Sequence, residues 1–250
     1  MPEDSQEYKD KKAFFEKIIT LYGRNVVIEV LQDSTIEVHK LHMASSNKTD
    51  GAIKTILALA KTRKIDITYH EKNSLSRISK NAKQDQGVAI DIIAQTYLNA
   101  KELQNMSAFR LIALDGIQNP QNLGMIIRSC AAGNVDGIIL PKKSSAKISP
   151  LVIKASAGTL FKLPIYFCNT LEDILPSLND TKIYALSSHA KSDIYDEVPS
   201  QKSVFILGNE SDGVSKEVEK LCTDSISIPM KRGVESLNVA VTASLIAFMK

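Results

Sequence analysis

Apolar and polar positions along this chain follow two rhythms, and the change comes at about residue 108. Before it, the spacing predicts a small unit in which helices and strands mix. Residues 13–22 place Phe14, Ile18, Leu21 and Tyr22 at helical intervals, with Gly23 to end the helix. Residues 25–31 are apolar, with mixed helix and strand signals. Residues 35–43 alternate as a strand, and the alternation slips by one at His39-Lys40. Residues 51–62 set Ile53, Ile56, Leu57 and Ala60 on one face of a helix. A strand at 65–69, a helix at 73–80 and a strand at 86–93 complete a unit of roughly 75 residues, an ordinary domain size. Residues 96–107 are polar and weakly patterned and read as a linker.

From Arg110 onward, short continuous apolar runs alternate with helical stretches. Strands are expected at 111–114, 137–140, 163–168, 183–186, 204–207 and 225–228, with helices at 123–132, 149–157, 171–178 and 215–222. Strands that are apolar on both faces need cover on both sides, so the pattern predicts an α/β fold with a mainly parallel sheet. The last run, 239–249, is too long for a strand and too short to cross a bilayer, and reads as a buried helix. Ser236 stands before it as a candidate N-cap. The resulting division is an N-terminal extension at 1–19, a first domain at 20–95, a linker at 96–107 and a second domain at 108–250.

Composition narrows the class without naming a function. The 250 residues are 44% hydrophobic with a formal charge of +3, compatible with a polyanionic partner. Cys130, Cys168 and Cys222 lie far apart and form no C-x-x-C pair, so they read as small buried residues of a reducing compartment. His39 and His42 fall on opposite faces of one strand, so no metal is expected there. The polar N-terminus resembles neither a signal nor a transit peptide, and a cytoplasmic location without membrane contact is expected.

Candidate chemistry lies in three loops at strand ends. G-x-G-x-x-G and G-x-x-x-x-G-K-[ST] are both absent, which disfavours a Rossmann dehydrogenase and a P-loop NTPase. No G-x-S-x-G occurs either. The first loop runs Asp115-Gly-Ile-Gln-Asn-Pro-Gln-Asn-Leu-Gly-Met-Ile-Ile-Arg128. Asn122 is placed to cap the helix behind it. Gly124 and Arg128 are four apart, so the missing side chain leaves room for Arg128 or a ligand. Ile126, Ile127, Cys130 and Ala131 make that helix largely buried, so Arg128 needs an anionic partner or a cleft. The second loop runs Leu207-Gly208-Asn209-Glu210 to Gly213, with Asp212 or Ser215 as a cap for the helix that follows. The third joins Ile228-Pro229-Met230 to Ser236-Leu237-Asn238, with Gly233 free to take positive φ. Ligands of open α/β folds sit beyond the carboxyl ends of strands, where all three loops fall.

Asn119-Pro120-x-Asn122-x-Gly124-x-x-x-Arg128, Leu207-Gly208-Asn209-Glu210-x-x-Gly213 and Ile228-Pro229-Met230 through Ser236-Leu237-Asn238-Val239 resemble, in order and spacing, the three motifs of the SpoU/TrmH family. These are RNA ribose 2′-O-methyltransferases of the SPOUT superfamily. Leu21-Tyr22-Gly23-x-Asn25-x-Val27-x-Glu29-x-Leu31 resembles that family's substrate-binding domain, an α/β unit akin to certain ribosomal proteins, and the pair is similar to the RlmB branch. The resemblance implies a C-terminal trefoil knot, a homodimer with the active site near its interface, and S-adenosyl-L-methionine as cofactor. It implies cofactor contacts at Leu207, Gly208, Asn209, Ile228, Met230, Ser236 and Leu237. Arg128, Asn122, Glu210, Ser236 and Asn238 would be catalytic, and a guanosine of large-subunit rRNA the substrate. A tRNA substrate and a non-catalytic knotted RNA-binding protein are the alternatives. Lys142, Lys143 and Lys147 are candidate phosphate contacts, and so is Arg232, which stands where the family commonly has glycine.

Overall fold

The computed structural model describes residues 14, 18–80, 84–93, 97–197 and 200–249. The chain divides into two compact units, Met1–Gln95 and Thr96–Lys250.

In the first unit β1 (Ile18–Tyr22), α1 (Arg24–Gln32), β2 (Glu37–Ala44), α2 (Gly51–Thr62), β3 (Ile67–His70), α3 (Lys72–Ser79) and β4 (Val88–Ile93) follow one another. The sheet order is β1-β4-β2-β3, antiparallel except for the β2/β3 pair. Its apolar face carries Leu21, Leu41, Met43, Ile90 and Ile92, all fully buried, and α1 and α2 bring Val27, Val30, Ile53 and Ile56 to this core. Leu75 of α3 closes the opposite face against Ala44 and Ala89. At the C-cap of α2, Arg63 reaches α1's far end: its guanidinium donates to the carbonyls of Val30 at 2.9 Å, Asp33 at 3.1 Å and Ile36 at 2.5 Å. The Val30 carbonyl, in the last turn of α1, has no partner further along the helix, so one side chain serves both the helix end and the loop after it.

The slip at His39-Lys40 is real: the β2/β4 register shifts between Val38 and Lys40. The helix expected over 13–22 does not extend over 18–22, although Phe14 is helical. Ile18, Ile19 and Thr20 form a β-branched run, and pairing with β4 makes residues 18–22 a strand. Residues 13 and 15–17 lie outside the described residues.

The second unit contains β5 (Tyr97–Asn99), β6 (Phe109–Leu114), α4 (Pro120–Ala132), β7 (Gly137–Pro141), α5 (Pro150–Ser156), β8 (Ile165–Cys168), α6 (Leu171–Ile174), β9 (Lys182–Leu186), β10 (Ser192–Asp193), β11 (Lys202–Leu207), α7 (Lys216–Glu219), β12 (Asp224–Ser227) and α8 (Val239–Ala247). Its sheet has the order β10-β12-β9-β11-β6-β7-β8-β5, with every pairing parallel. The fold is therefore α/β with a parallel sheet, preceded by a smaller α/β unit.

The expected linker is mostly integral to this unit. Tyr97–Asn99 pair with β8, and Asn99 and Glu102 form a capping box on a 3₁₀ turn at Ala100–Asn105 that buries Ala100 and Leu103. Three strand residues ahead of a polar turn give no periodicity to read. At the other end of the unit α8 lies on α4, with Ser129 and Ser244 hydroxyls 2.7 Å apart. The Asn134 N–H donates to the Ala247 carbonyl at 2.6 Å and Arg110 Nη1 to the Met249 carbonyl at 3.0 Å. Among the described residues no helix is long and apolar enough to cross a membrane.

Candidate active site

Residues at the carboxyl ends of β6 and β11 and the entrance of α8 meet at one carboxylate. Glu210 Oε1 accepts from Asn122 Nδ2 at 2.6 Å and from Asn238 Nδ2 at 2.9 Å. Asn238 Nδ2 also lies 3.3 Å from Asn122 Oδ1. Asn122 is buried, whereas Glu210 and Asn238 are exposed. A cleft of about 320 Å³ opens here, lined by Gly116, Ile117, Gln118, Asn119, Asn122, Asn209, Glu210, Ser211, Asp212 and Val239.

Two caps fall on neighbours of the expected residues, which frees the expected ones for other contacts. Asn119, not Asn122, caps α4, accepting from the Gln121 N–H with Pro120 in the first turn. Asn122 is thus inside the helix with its side chain free to reach Glu210. Asn238, not Ser236, caps α8: its Oδ1 accepts from the Ala240 N–H at 2.9 Å, so the same side chain caps the helix and holds Glu210. Ser236 is exposed two residues ahead of it.

Gly124 and Arg128 also differ from expectation. A Cβ at 124 would lie 2.6 Å from the Val152 carbonyl and 3.0 Å from the Ser156 amide nitrogen, so the missing side chain lets α5 pack against α4 and leaves no room for a ligand. Arg128 lies on the exposed face of α4 and makes no hydrogen bond or ion pair to a described residue. The helix buries Leu123, Ile126, Ile127 and Cys130 on its other side, so exposure removes the need for an internal anion.

The loop after β11 is a closed ring. Asn209 and Gly213 exchange backbone hydrogen bonds at 3.1 Å each way, and Asn209 Oδ1 accepts from the N–H groups of Ser211 and Asp212 at 2.8 Å. A side chain at 208 would strike the Gly213 backbone. Leu207 is buried at the end of β11, and Gly208 and Asn209 are half-buried. Ser215, rather than Asp212, occupies the cap position of α7, without a side-chain hydrogen bond. Beyond β12, Ile228 and Met230 are half-buried and Leu237 is exposed. Arg232 and Gly233 both take positive φ, at 61° and 73°, and the Val234 N–H donates to the Lys231 carbonyl at 3.3 Å. Positive φ at both central positions is the signature of a type I′ turn. Lys142, Lys143 and Lys147 are exposed between β7 and α5, on a loop joined to the cleft loop by the Ala146 N–H donating to Ile117 at 2.8 Å.

Sequence reading missed one polar cluster, in the first unit. Thr20 donates to Asp91 Oδ1 at 2.6 Å, Asp91 Oδ2 lies 3.0 Å from His42 Nε2, and His42 Nδ1 lies 2.9 Å from His70 Nε2. The chain of side chains crosses all four strands. The signal was the face-sharing of positions 20, 42 and 91, legible only once the β1/β4/β2 pairing is known. Among the described residues no group of three or more His, Cys, Asp or Glu is arranged to hold a metal ion.

Residues 109–248 match the SpoU rRNA Methylase family, and residues 20–98 match the domain described as RNA 2′-O ribose methyltransferase substrate binding. A Staphylococcus saprophyticus protein assigned to the TrmH family of tRNA/rRNA methyltransferases is 30% identical over 237 residues, 92% of this chain and 94% of the relative. A Bacillus subtilis protein with the same assignment is 30% identical over 90% of this chain and 92% of its own. Among solved structures, the SpoU methyltransferase AviRb of Streptomyces viridochromogenes, crystallised with AdoMet, superposes with a TM-score of 0.67 at 20% identity. The match covers 98% of this chain and 96% of that one. An AdoMet-bound rRNA methyltransferase of Sinorhizobium meliloti gives 0.65 at 22% identity, covering 97% and 88%. Likeness at that identity speaks for the fold.

Proposed function

The chain belongs to the SpoU rRNA Methylase family, and on that premise we propose that it methylates a ribose 2′-hydroxyl in RNA, using S-adenosyl-L-methionine. The target is a guanosine of large-subunit rRNA, as in the RlmB branch, and the setting is the cytoplasm. The observation that carries the reading is the meeting of Asn122 from α4, Glu210 from the loop after β11 and Asn238 at the cap of α8, the first two of which line one cleft.

The segment between β12 and α8 suits a cofactor held through main-chain groups. From Pro229 to Leu237, among the described residues, only Val234 donates its N–H to a backbone carbonyl. Val234 and Leu237 show 50% and 37% of their surface to solvent. Open amide donors beside uncovered apolar side chains match a neutral heteroaromatic ring. Leu207, Gly208, Asn209, Ile228, Met230, Ser236 and Leu237 would hold it. When bound, this cofactor supplies an electrophilic methyl group.

The chain's own residues do the rest. Arg128, exposed and without a partner among the described residues, grips the phosphate beside the target ribose. Its charge then stabilises negative charge on the 2′-oxygen as the hydroxyl proton passes to solvent water. A guanidinium keeps its proton in proteins, so electrostatic stabilisation is its role rather than proton removal. Asn122 and Asn238 fix Glu210, and Ser236 and Asn238 border the ribose. Lys142, Lys143, Lys147 and Arg232 meet phosphates further along the RNA. The knot belongs to the same reading: after β12, at the far side of β9 from β11, the chain returns to pack α8 on α4 and against β11. So does a homodimer, through the outer faces of α4 and α8.

Purified protein incubated with labelled cofactor and unmodified total RNA is expected to transfer label. Arg128→Ala is expected to lower transfer by about 100-fold or more, the usual cost of losing a group that stabilises developing charge, with an unchanged circular dichroism spectrum. No transfer to any RNA, together with no heat of cofactor binding, would overturn the reading.

A further inference from the structure

Asp115 has no part in the roles above, yet it joins two of the three loops. It is the first residue after β6, on the loop that leads to Asn119 and Asn122. Its N–H donates to the Leu207 carbonyl at 2.8 Å, one step past the β6/β11 ladder. Its carboxylate Oδ2 accepts from the Ser215 N–H at 2.7 Å, across 100 residues of sequence. Ser215 stands two residues past Gly213, at the base of the ring that Asn209 and Gly213 close, while Glu210 near the tip is held by Asn122 and Asn238. The ring is thus pinned at two points, and its own bonds make it move as a body. Gly116 fits beside it, with positive φ and the Asn209 side-chain nitrogen 3.3 Å from where a Cβ would stand.

We infer that Asp115 is a positioning residue for the methyl-transfer site: its carboxylate fixes the 208–215 ring, and so sets the main chain at Gly208 and the carboxylate of Glu210 against the loop that carries Asn122. The inference rests on the function proposed above. A charged acceptor on a backbone N–H is among the stronger single hydrogen bonds, and its loss leaves the ring held at its tip alone. The consequence is specific to the cofactor, because the lysines between β7 and α5 that face the RNA join this loop through Ala146 and Ile117, not through Asp115.

The test uses the full chain, calorimetry with S-adenosylmethionine and steady-state kinetics. Asp115→Ala is expected to weaken cofactor binding about tenfold, the loss of one charged hydrogen bond, while the KM for RNA stays unchanged. Asp115→Asn, whose amide oxygen can accept the same N–H, is expected to restore most of the affinity. Ser215→Pro removes the donor from the other side. Position 215 has φ −63°, the value proline imposes, so this variant keeps the backbone and is expected to weaken the cofactor as Asp115→Ala does. Unchanged cofactor affinity in Asp115→Ala overturns the inference. So does a parallel loss of RNA affinity and melting temperature, which marks a merely structural contact. A wild-type protein that binds no cofactor takes down the proposed function and this inference with it.

Discussion

Arg232 is the residue that departs most from what its position asks. The turn at 231–234 needs two consecutive left-handed residues, and only the second is glycine. An L-residue there brings its Cβ against the following carbonyl, at a cost of about 1–2 kcal/mol. Arg232→Gly is expected to stabilise the protein by about 1 kcal/mol, read as a higher denaturant midpoint with an unchanged slope. If Arg232 meets RNA as proposed, the same variant binds RNA more weakly, so stability and affinity move in opposite directions. The sequence showed that this turn was unusual, because Arg232-Gly233 stood where glycine was expected first. It did not show which polar residue would cap and which would bond across loops. Asn119, Asn122, Ser236 and Asn238 are all good N-cap types. The choice among them turned on where Pro120 starts α4 and where Glu210 lies, and the second is not local information.

At the scale of elements, long periodic segments were legible and short ones were not. The helix at 51–62 has the residues that its apolar spacing predicts. β1 lost its helical reading to long-range pairing with β4, and β5 has three residues. The first sheet also carries a prediction of its own. Burial, helped by the charges of His42 and Lys40, holds His70 below the ordinary histidine value of 6.5. Burial alone would raise Asp91, but hydrogen bonds from His42 and Thr20 outweigh it and hold it below 3.8. Both groups bind protons more weakly in the folded unit than in the unfolded chain. Stability from His70 is therefore complete above about pH 6.5 and declines as pH falls from there toward the lowered folded value. Asp91 adds a second loss, as pH falls below 3.8 through its own folded value. Hydrogen exchange in β2 and β3, corrected for intrinsic rates, is expected to quicken as pH falls below about 6.5. His70→Gln cannot titrate but keeps a hydrogen-bonding partner for His42, so it flattens this response; an equally steep response in that variant contradicts the account.

At the scale of the whole molecule, the proposed dimer follows from what the second unit leaves uncovered. Met125 on α4, Val241 on α8 and Phe248 just after it expose 41%, 47% and 61% of their surfaces. Exposed apolar side chains on two packed helices are what an interaction surface between copies would use. Val241→Asp combined with Phe248→Asp is expected to halve the mass seen by light scattering and to lower methyl transfer along with it. An unchanged mass would place the interface elsewhere.

The contact between Arg110 and the carbonyl of Met249 has a further consequence, in time rather than space. Each bond described in the first unit closes between residues 18 and 93, so that unit can form while the rest of the chain is still being translated. The second unit opens with β5 and β6, yet Arg110 and Asn134 find their partners at 247–249, more than a hundred residues later. Domains fold as units during synthesis, and loops of that length are slow to close. A ribosome stalled before these last residues emerge thus presents a finished first unit, followed along the chain by a parallel sheet whose final helix is still missing.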